Sequence, residues 1–196
     1  MNDKKKYSGV ELMDTAPVGT AIIRLAIPMM VAMLAQAVYG ITDAFFIGQT
    51  DDPNMIAAVS LAFPLYMLTL ALGNVFAIGG SSYISRMLGE KKNDEARRTS
   101  SVSFYSGIGA AILMVIALWI FKTPVLWLIG ASDATFAHTD EYFSAVLLSM
   151  PFATTGIVMS GQMRSEGAAQ QAMLLQVIGI ALNIILDPVF ILWFDW

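Results

Sequence analysis

Two carboxylates inside long apolar segments are the side chains of this sequence best suited to chemistry. Asp187 stands in the apolar stretch 176–193, with Asn183 one helical turn before it. Asp43 stands near the end of the first apolar stretch, with Tyr39 one turn before it. A buried carboxylate is costly unless it is paired or protonated, so an acid in such a segment marks a functional site. We therefore expect Asp43 and Asp187 to bind an ion.

Further polar side chains extend from each acid along one face of its segment. Residues three, four or seven positions apart share one face of a helix. The residues with this spacing are Gln36, Tyr39 and Asp43 in the first segment, and Gln176, Asn183 and Asp187 in the last. Two polar stripes on otherwise apolar helices predict facing walls of one cavity. The alternative is packing, because polar side chains also hydrogen-bond across membrane helices for about 0.6–2 kcal/mol.

A pair of acids in one cavity supports two kinds of ion chemistry. Two carboxylates close together in a low dielectric cannot both stay ionised, so at least one pKa should rise and the pair could bind and release H⁺. Carboxylate, amide and hydroxyl oxygens together also suit a hard cation, which would place Na⁺ at Asp43, Asn183 and Asp187. The residues alone leave H⁺ and Na⁺ open as the coupling ion, and they predict no other cofactor.

The composition is that of a membrane protein. Hydrophobic residues make up 57% of the chain, a larger share than in ordinary soluble domains, and charged residues make up only 13%. Each apolar segment holds about 20 residues or more, enough to cross a hydrocarbon core about 30 Å thick. The predicted spans are residues 22–47, 56–84, 102–121, 142–163 and 174–193. Only helices satisfy this much backbone in lipid, so the expected fold is an all-α polytopic bundle of five transmembrane helices.

Basic residues predict the orientation of these spans. All but one of the 11 Lys and Arg residues fall on one side of the predicted membrane, and Lys122 alone falls on the other. Positively charged loops stay in the cytoplasm, so residues 1–21 are expected to form a cytoplasmic tail and residues 22–196 the helix bundle. No basic patch of the kind that binds nucleic acid is visible.

Two further features of the spans suit a cavity that changes shape. Pro28 removes one backbone hydrogen bond from the first helix and could provide a gating bend in it. Met33 is one of 13 methionines, whose flexible side chains could line a substrate cavity together with Gln36 and Gln176.

Several stretches resemble the multidrug and toxin extrusion (MATE) transporters. The first is Leu25-Ala26-Ile27-Pro28 followed by Tyr39-Gly40-Ile41-Thr42-Asp43-Ala44-Phe45-Phe46-Ile47-Gly48, which is similar to the first helix of that family. The others are Ser85-Arg86-Met87-Leu88-Gly89-Glu90, Ser160-Gly161-Gln162-Met163-Arg164 and Leu182-Asn183-Ile184-Ile185-Leu186-Asp187-Pro188. The resemblance covers nearly everything from Ile22 onward.

This resemblance implies a plasma-membrane exporter that exchanges cationic, drug-like compounds for H⁺ or Na⁺. In the bacterial branch whose first lobe carries acids, the counterparts of Asp43 and Asp187 are the coupling carboxylates, with Tyr39 and Asn183 beside them. Members of the family have about twelve helices in two lobes of six. The resemblance therefore implies that a sixth helix and a second lobe are missing here.

Other functions make different demands on the sequence. A flippase for lipid-linked precursors should have a more cationic cavity, which the acidic pair argues against. A membrane subunit that does not transport would bind a partner protein and neither ion nor drug. An enzyme is disfavoured, because no pairing of nucleophile and base and no spacing of metal ligands is visible.

Overall fold

The described part of the chain folds into six helices joined by short turns. The computed structural model describes residues 17–48 and 53–193, without the side chains of residues 43, 44, 46, 47 and 187–193. The helices are α1 (Val18–Ile47), α2 (Pro53–Gly89), α3 (Asn93–Ile120), α4 (Lys122–Leu128), α5 (Phe136–Ser165) and α6 (Ala169–Trp193). All except α4 are long and apolar enough to cross a membrane. The prediction of an all-α bundle with five spans is confirmed.

The helices differ from the predicted spans mainly at their ends. The second helix runs from Pro53 to Gly89, whereas hydropathy marked only residues 56–84. Arg86 lies in α2, and Arg97 and Arg98 lie in α3, although the sequence had suggested a loop for all three. Hydropathy identifies only the part of a helix that lipid surrounds, and each of these helices continues into its polar flanks.

Three of the long helices pack together through glycines. A Cβ atom built on Gly161 of α5 would lie 2.9 Å from the Cβ of Ala77 in α2, and one on Gly73 of α2 would lie 2.8 Å from the Cδ1 of Ile157. Gly73 meets Ile157, and Ala77, four residues later in α2, meets Gly161, four residues later in α5, so the two helices run parallel. Gly107 of α3 meets Val158 of α5 in the same way. Close approach of backbones at small residues is the usual way in which membrane helices associate.

Apolar clusters close this three-helix unit at both ends. One cluster joins Leu65 of α2 and Leu126 of α4 to Phe143 and Leu147 of α5, and each of these side chains is buried. The other joins Ile84 and Met87 of α2 to Ala96 of α3. Large apolar side chains also point outward, and Phe152 is 80% exposed. Such exposure is expected where the solvent is lipid.

The short helix α4, which the sequence had not predicted, is fastened to α5. Lys122 Nζ lies 2.7 Å from Asp140 Oδ1 and donates a hydrogen bond of 2.6 Å to Ser144 Oγ. The same ammonium group lies 5.5 Å from the ring centroid of Trp119. Trp127 of α4 stacks on Phe136 at the start of α5. These contacts fix α4 against the first turns of α5.

The turn after α2 holds a residue other than glycine in the left-handed region. Lys91 has φ 60°, its amide donates to the carbonyl of Leu88, and the amide of Lys92 donates to that of Met87. This is a Schellman motif, in which the left-handed position usually belongs to glycine. Gly130 and Gly167 occupy the equivalent positions after α4 and α5, with φ 101° and 78°. Nearby, the hydrogen bond from Lys92 and then its charge hold the pKa of Glu90 below its ordinary value.

Replacing Lys91 by Gly is expected to stabilise the fold by about 0.5–1 kcal/mol. The left-handed conformation costs a side-chain-bearing residue about 1–2 kcal/mol, which exceeds the added flexibility of an unfolded glycine, about 0.4–1 kcal/mol. The measurement is the melting temperature of the purified chain in detergent. Glu90→Gly is the matched control and should be neutral or destabilising, and a lower melting temperature for Lys91→Gly would contradict the prediction.

Candidate functional site

The two helices that carry the acids are packed neighbours. The helix α1, which contains Asp43, packs against α6, which contains Asp187, although four other helices separate them in sequence. Three spanning helices, α2, α3 and α5, lie between α1 and α6, so α1 and α6 cross the membrane in the same sense. The side chains of Asp43 and Asp187 lie outside the described set. The structure thus packs together the two helices that carry the acids, and the proximity of the two carboxylates stays a prediction.

On α1, the predicted residues lie along and beside the packed stripe. Pro28 and Tyr39 are partly buried, and Ala32 between them is 7% exposed, so these three positions mark the side that meets a neighbouring helix. The helix continues through Pro28 without interruption. Tyr39 has an interaction partner in the structure. Tyr39 therefore stands one turn before Asp43 on the packed side of α1.

Gln36 lies beside that stripe, Met33 lies further round the helix, and both side chains are exposed. Gln36 is exposed and forms no hydrogen bond within the described part of the chain, and Met33 is 72% exposed. A glutamine whose role is to hold two helices together would form hydrogen bonds with the neighbouring helix through its amide. The amide of Gln36 is instead available to a ligand.

On α6, the amides also keep their hydrogen-bonding capacity. Ala169, Ala172 and Ile180 are the buried positions among residues 169–186 of this helix, Gln176 is partly buried near them, and Asn183 is exposed. Neither amide is hydrogen-bonded within residues 17–48 and 53–193. Asn183 and Gln176 thus provide unused hydrogen-bond donors and acceptors on the side of the predicted cavity that α6 forms.

Few acidic side chains lie within the spanning helices. Apart from Asp43 and Asp187, the acids of the spanning helices lie near their starts, with Asp94 and Glu95 in the first turn of α3 and Asp140 and Glu141 in the second turn of α5. A cation or proton within the apolar part of the bundle would therefore find its counter-charge at α1 and α6.

One polar residue that the sequence analysis did not single out lies in the apolar part of α2. Asn74 is the only amide in the apolar segment 56–84, is exposed, and forms no hydrogen bond among the described residues. It follows Gly73, the point at which α2 touches α5. The signal that could have identified Asn74 is an isolated amide in a span, whereas Asn183 was singled out by its position one turn before Asp187.

Comparison with known proteins gives consistent matches over most of the chain. The model of the MatE family matches residues 28–189. The chain is 34% identical over 195 residues to the multidrug export protein MepA of Staphylococcus aureus (strain NCTC 8325 / PS 47), an alignment that covers 100% of this chain and 42% of that protein. The MepA protein of Staphylococcus saprophyticus is 35% identical over 196 residues, with the same coverage.

A solved structure has the same arrangement of helices. It is described as the outward-facing conformation of a multidrug resistance MATE family transporter of the MOP superfamily, and it superposes with a TM-score of 0.88 at 32% identity. The match covers 94% of this chain and 40% of that one. The chain therefore spans less than half the length of the relatives that it matches.

Proposed function

Because the chain belongs to the MatE family of multidrug efflux transporters, we propose that it forms most of the first lobe of an ion-coupled exporter of cationic, amphipathic drugs. The observation that carries this proposal is the packing of α1 against α6. It makes neighbours of the two helices whose interiors hold Asp43 and Asp187. The relatives' names, multidrug export proteins, support the substrate class.

The coupling ion binds between α1 and α6 in this proposal. Asp43 and Asp187 supply the charge, Asn183 supplies an amide, and Tyr39 supplies a hydroxyl one turn before Asp43. If the ion is H⁺, the two carboxylates share protons and the charge of the pair changes near neutral pH. If it is Na⁺, the same oxygens coordinate the metal directly.

The drug is exchanged for the ion because each of them binds preferentially to a different conformation of the lobe. Gln36 and Met33 offer an open amide and an adaptable thioether on α1, and Gln176 offers an amide on α6. Pro28 leaves α1 one backbone hydrogen bond short, at a position on its packed side. Ion binding near Asp43 would favour a bend at Pro28 that closes the cavity to the drug. Differential affinity of the two shapes for ion and drug then drives the exchange.

The proposed membrane orientation follows from charge. With all but one of its 11 basic residues on one side, the chain would lie in the plasma membrane with its N-terminus in the cytoplasm. Lys122, the one basic residue on the outer side, is paired with Asp140.

Transport by the intact transporter that contains this chain tests the proposal. The protein is reconstituted in liposomes, and export of a fluorescent cationic drug is recorded under an imposed H⁺ gradient, an imposed Na⁺ gradient, or neither. We expect one of the two gradients to drive export. Drug movement that is the same with and without a gradient would contradict ion coupling. Movement of a lipid-linked precursor in place of the drug would favour the flippase.

A further inference from the structure

The guanidinium group of Arg164 points back into the bundle from the last turn of α5. Arg164 is partly buried, and its Nη1 donates a hydrogen bond of 2.7 Å to Ser160 Oγ, one turn earlier in the same helix. A long basic side chain at the end of a membrane helix ordinarily extends toward water. Arg164 instead directs its charge toward the hydrocarbon.

Among the residues that the structure describes, no carboxylate pairs with this charge. The ion pairs formed by the described residues are Lys92 with Glu90 and Lys122 with Asp140, and neither involves Arg164. A guanidinium has five N–H donors, of which the hydrogen bond to Ser160 uses one. A charge partly withdrawn from water without a counter-charge is costly. Within the described residues the charge of Arg164 is thus uncompensated, and an anion from outside this part of the chain would compensate it.

The position of Arg164 along α5 matches the depth of lipid phosphates. The helix has 30 residues and is about 45 Å long, whereas the hydrocarbon core is about 30 Å thick. With Met150 near the bilayer centre, Ser160 lies near the edge of the hydrocarbon and Arg164 lies in the headgroup layer. The anion that is abundant at this depth is the phosphodiester of a phospholipid.

The surrounding surface attracts anionic lipids in particular. Gln162 Nε2 donates a hydrogen bond of 2.8 Å to the carbonyl of Ser100, which fastens this end of α5 to the start of α3. The same end of the bundle carries exposed basic residues at the end of α2, in the turn after it and at the start of α3. These are Arg86, Lys91, Lys92, Arg97 and Arg98. Glu90, Asp94, Glu95 and Glu166 at the same end offset part of this charge, but basic residues remain in excess, and such an excess at a membrane surface concentrates anionic lipids.

We propose that Arg164 and Ser160 bind the phosphate of an anionic phospholipid in the leaflet at this end of the bundle. The planar guanidinium takes two phosphate oxygens at once, and the hydrogen bond from Arg164 to Ser160 holds the guanidinium in position for them. The exposed cluster raises the local concentration of such lipids, and Arg164 holds one of them in place. This inference does not depend on the coupling ion or on the drug.

Native mass spectrometry of the purified chain in detergent tests the lipid site, with phosphatidylglycerol and phosphatidylcholine as probes. We expect the wild-type chain to retain phosphatidylglycerol in preference to phosphatidylcholine. Arg164→Gln should weaken retention of phosphatidylglycerol at least about tenfold, since a hydrogen bond to a charged group contributes about 1.5–3 kcal/mol. Arg164→Lys keeps the positive charge but loses the planar guanidinium that binds two oxygens at once. Its retention of phosphatidylglycerol should therefore fall between that of the wild-type chain and that of Arg164→Gln.

The matched control is Arg97→Gln, which removes an exposed guanidinium from the same end of the bundle. Arg97→Gln should leave the retention of phosphatidylglycerol nearly unchanged. Equal losses in Arg97→Gln and Arg164→Gln would overturn the proposal in favour of diffuse attraction, and unchanged retention in Arg164→Gln would also overturn it. Displacement of the lipid by inorganic phosphate would show a site for free phosphate and overturn the lipid assignment. If Arg164→Gln does not fold, Arg164→Lys and Ser160→Ala decide the question, and unchanged retention in both overturns the proposal.

Discussion

Changing Asp187 to Asn is expected to reduce ion-driven drug export by the intact transporter at least about tenfold. The substitution keeps the size of the side chain and removes the charge that the coupling ion neutralises. Coupling free energies between sites are about 1–3 kcal/mol, which corresponds to about 5–150-fold in affinity, and export depends on that coupling. The measurement is drug efflux from proteoliposomes under the driving gradient.

Two controls separate a lost charge at Asp187 from a lost fold. Asp133→Asn removes an exposed acid from the turn before α5 and should leave export unchanged. Asp187→Glu keeps a carboxylate on α6 and should retain part of the activity. Ion-driven export that survives Asp187→Asn at the wild-type rate would remove Asp187 from the coupling site. Asp43→Asn should behave as Asp187→Asn does, because the two acids are proposed to act together.

Replacing Gly161 by Ala is expected to destabilise the bundle by about 1–3 kcal/mol, the usual cost of overpacking. A Cβ atom at this position would lie 2.9 Å from the Cβ and 3.2 Å from the Cα of Ala77. Because the Cα belongs to the backbone of α2, no side-chain rotation relieves the overlap, and α2 and α5 must move apart. The measurement is the melting temperature of the chain in detergent.

Gly156→Ala is the matched control on the same helix. A Cβ atom at Gly156 would meet nothing within 4 Å, so this variant should be neutral or stabilised by up to about 1 kcal/mol, the helix propensity of Ala over Gly. Adding Ala77→Gly to Gly161→Ala should recover part of the loss, because it removes the nearer of the two contacts. Equal melting temperatures for Gly161→Ala and Gly156→Ala would refute the idea that close backbone contact holds α2 against α5.

Hydropathy and chemical cost predicted the parts of this molecule that depend on single segments. Five apolar stretches are enough to predict five spans, because lipid demands helices of nearly fixed length. The expense of a carboxylate in an apolar segment likewise singled out Asp43 and Asp187. The resemblance in the Leu182–Pro188 stretch then pointed to the family that the comparisons confirm.

Features that depend on contacts between segments, or on short segments, were harder to predict. The helix α4 has seven residues, too few to show a helical period. The contact between Gly161 and Ala77 depends on the register of α2 against α5, which neither segment reveals alone. Asn74 was missed because a neutral amide is a weaker signal than a charge, although it is open in the structure in the same way as Asn183.

The pairing of α1 with α6 also has a consequence for biosynthesis. The ribosome makes about 120 residues after the end of α1 before α6 begins, which takes roughly 6–25 s at about 5–20 residues per second. During that interval α1 is in the membrane without its partner, while α2, α3 and α5 can already assemble. The insertion machinery or the lipid must therefore accommodate the exposed polar face of α1 until α6 arrives. The proposed ion site is completed last, by the final helix of the chain that the structure describes.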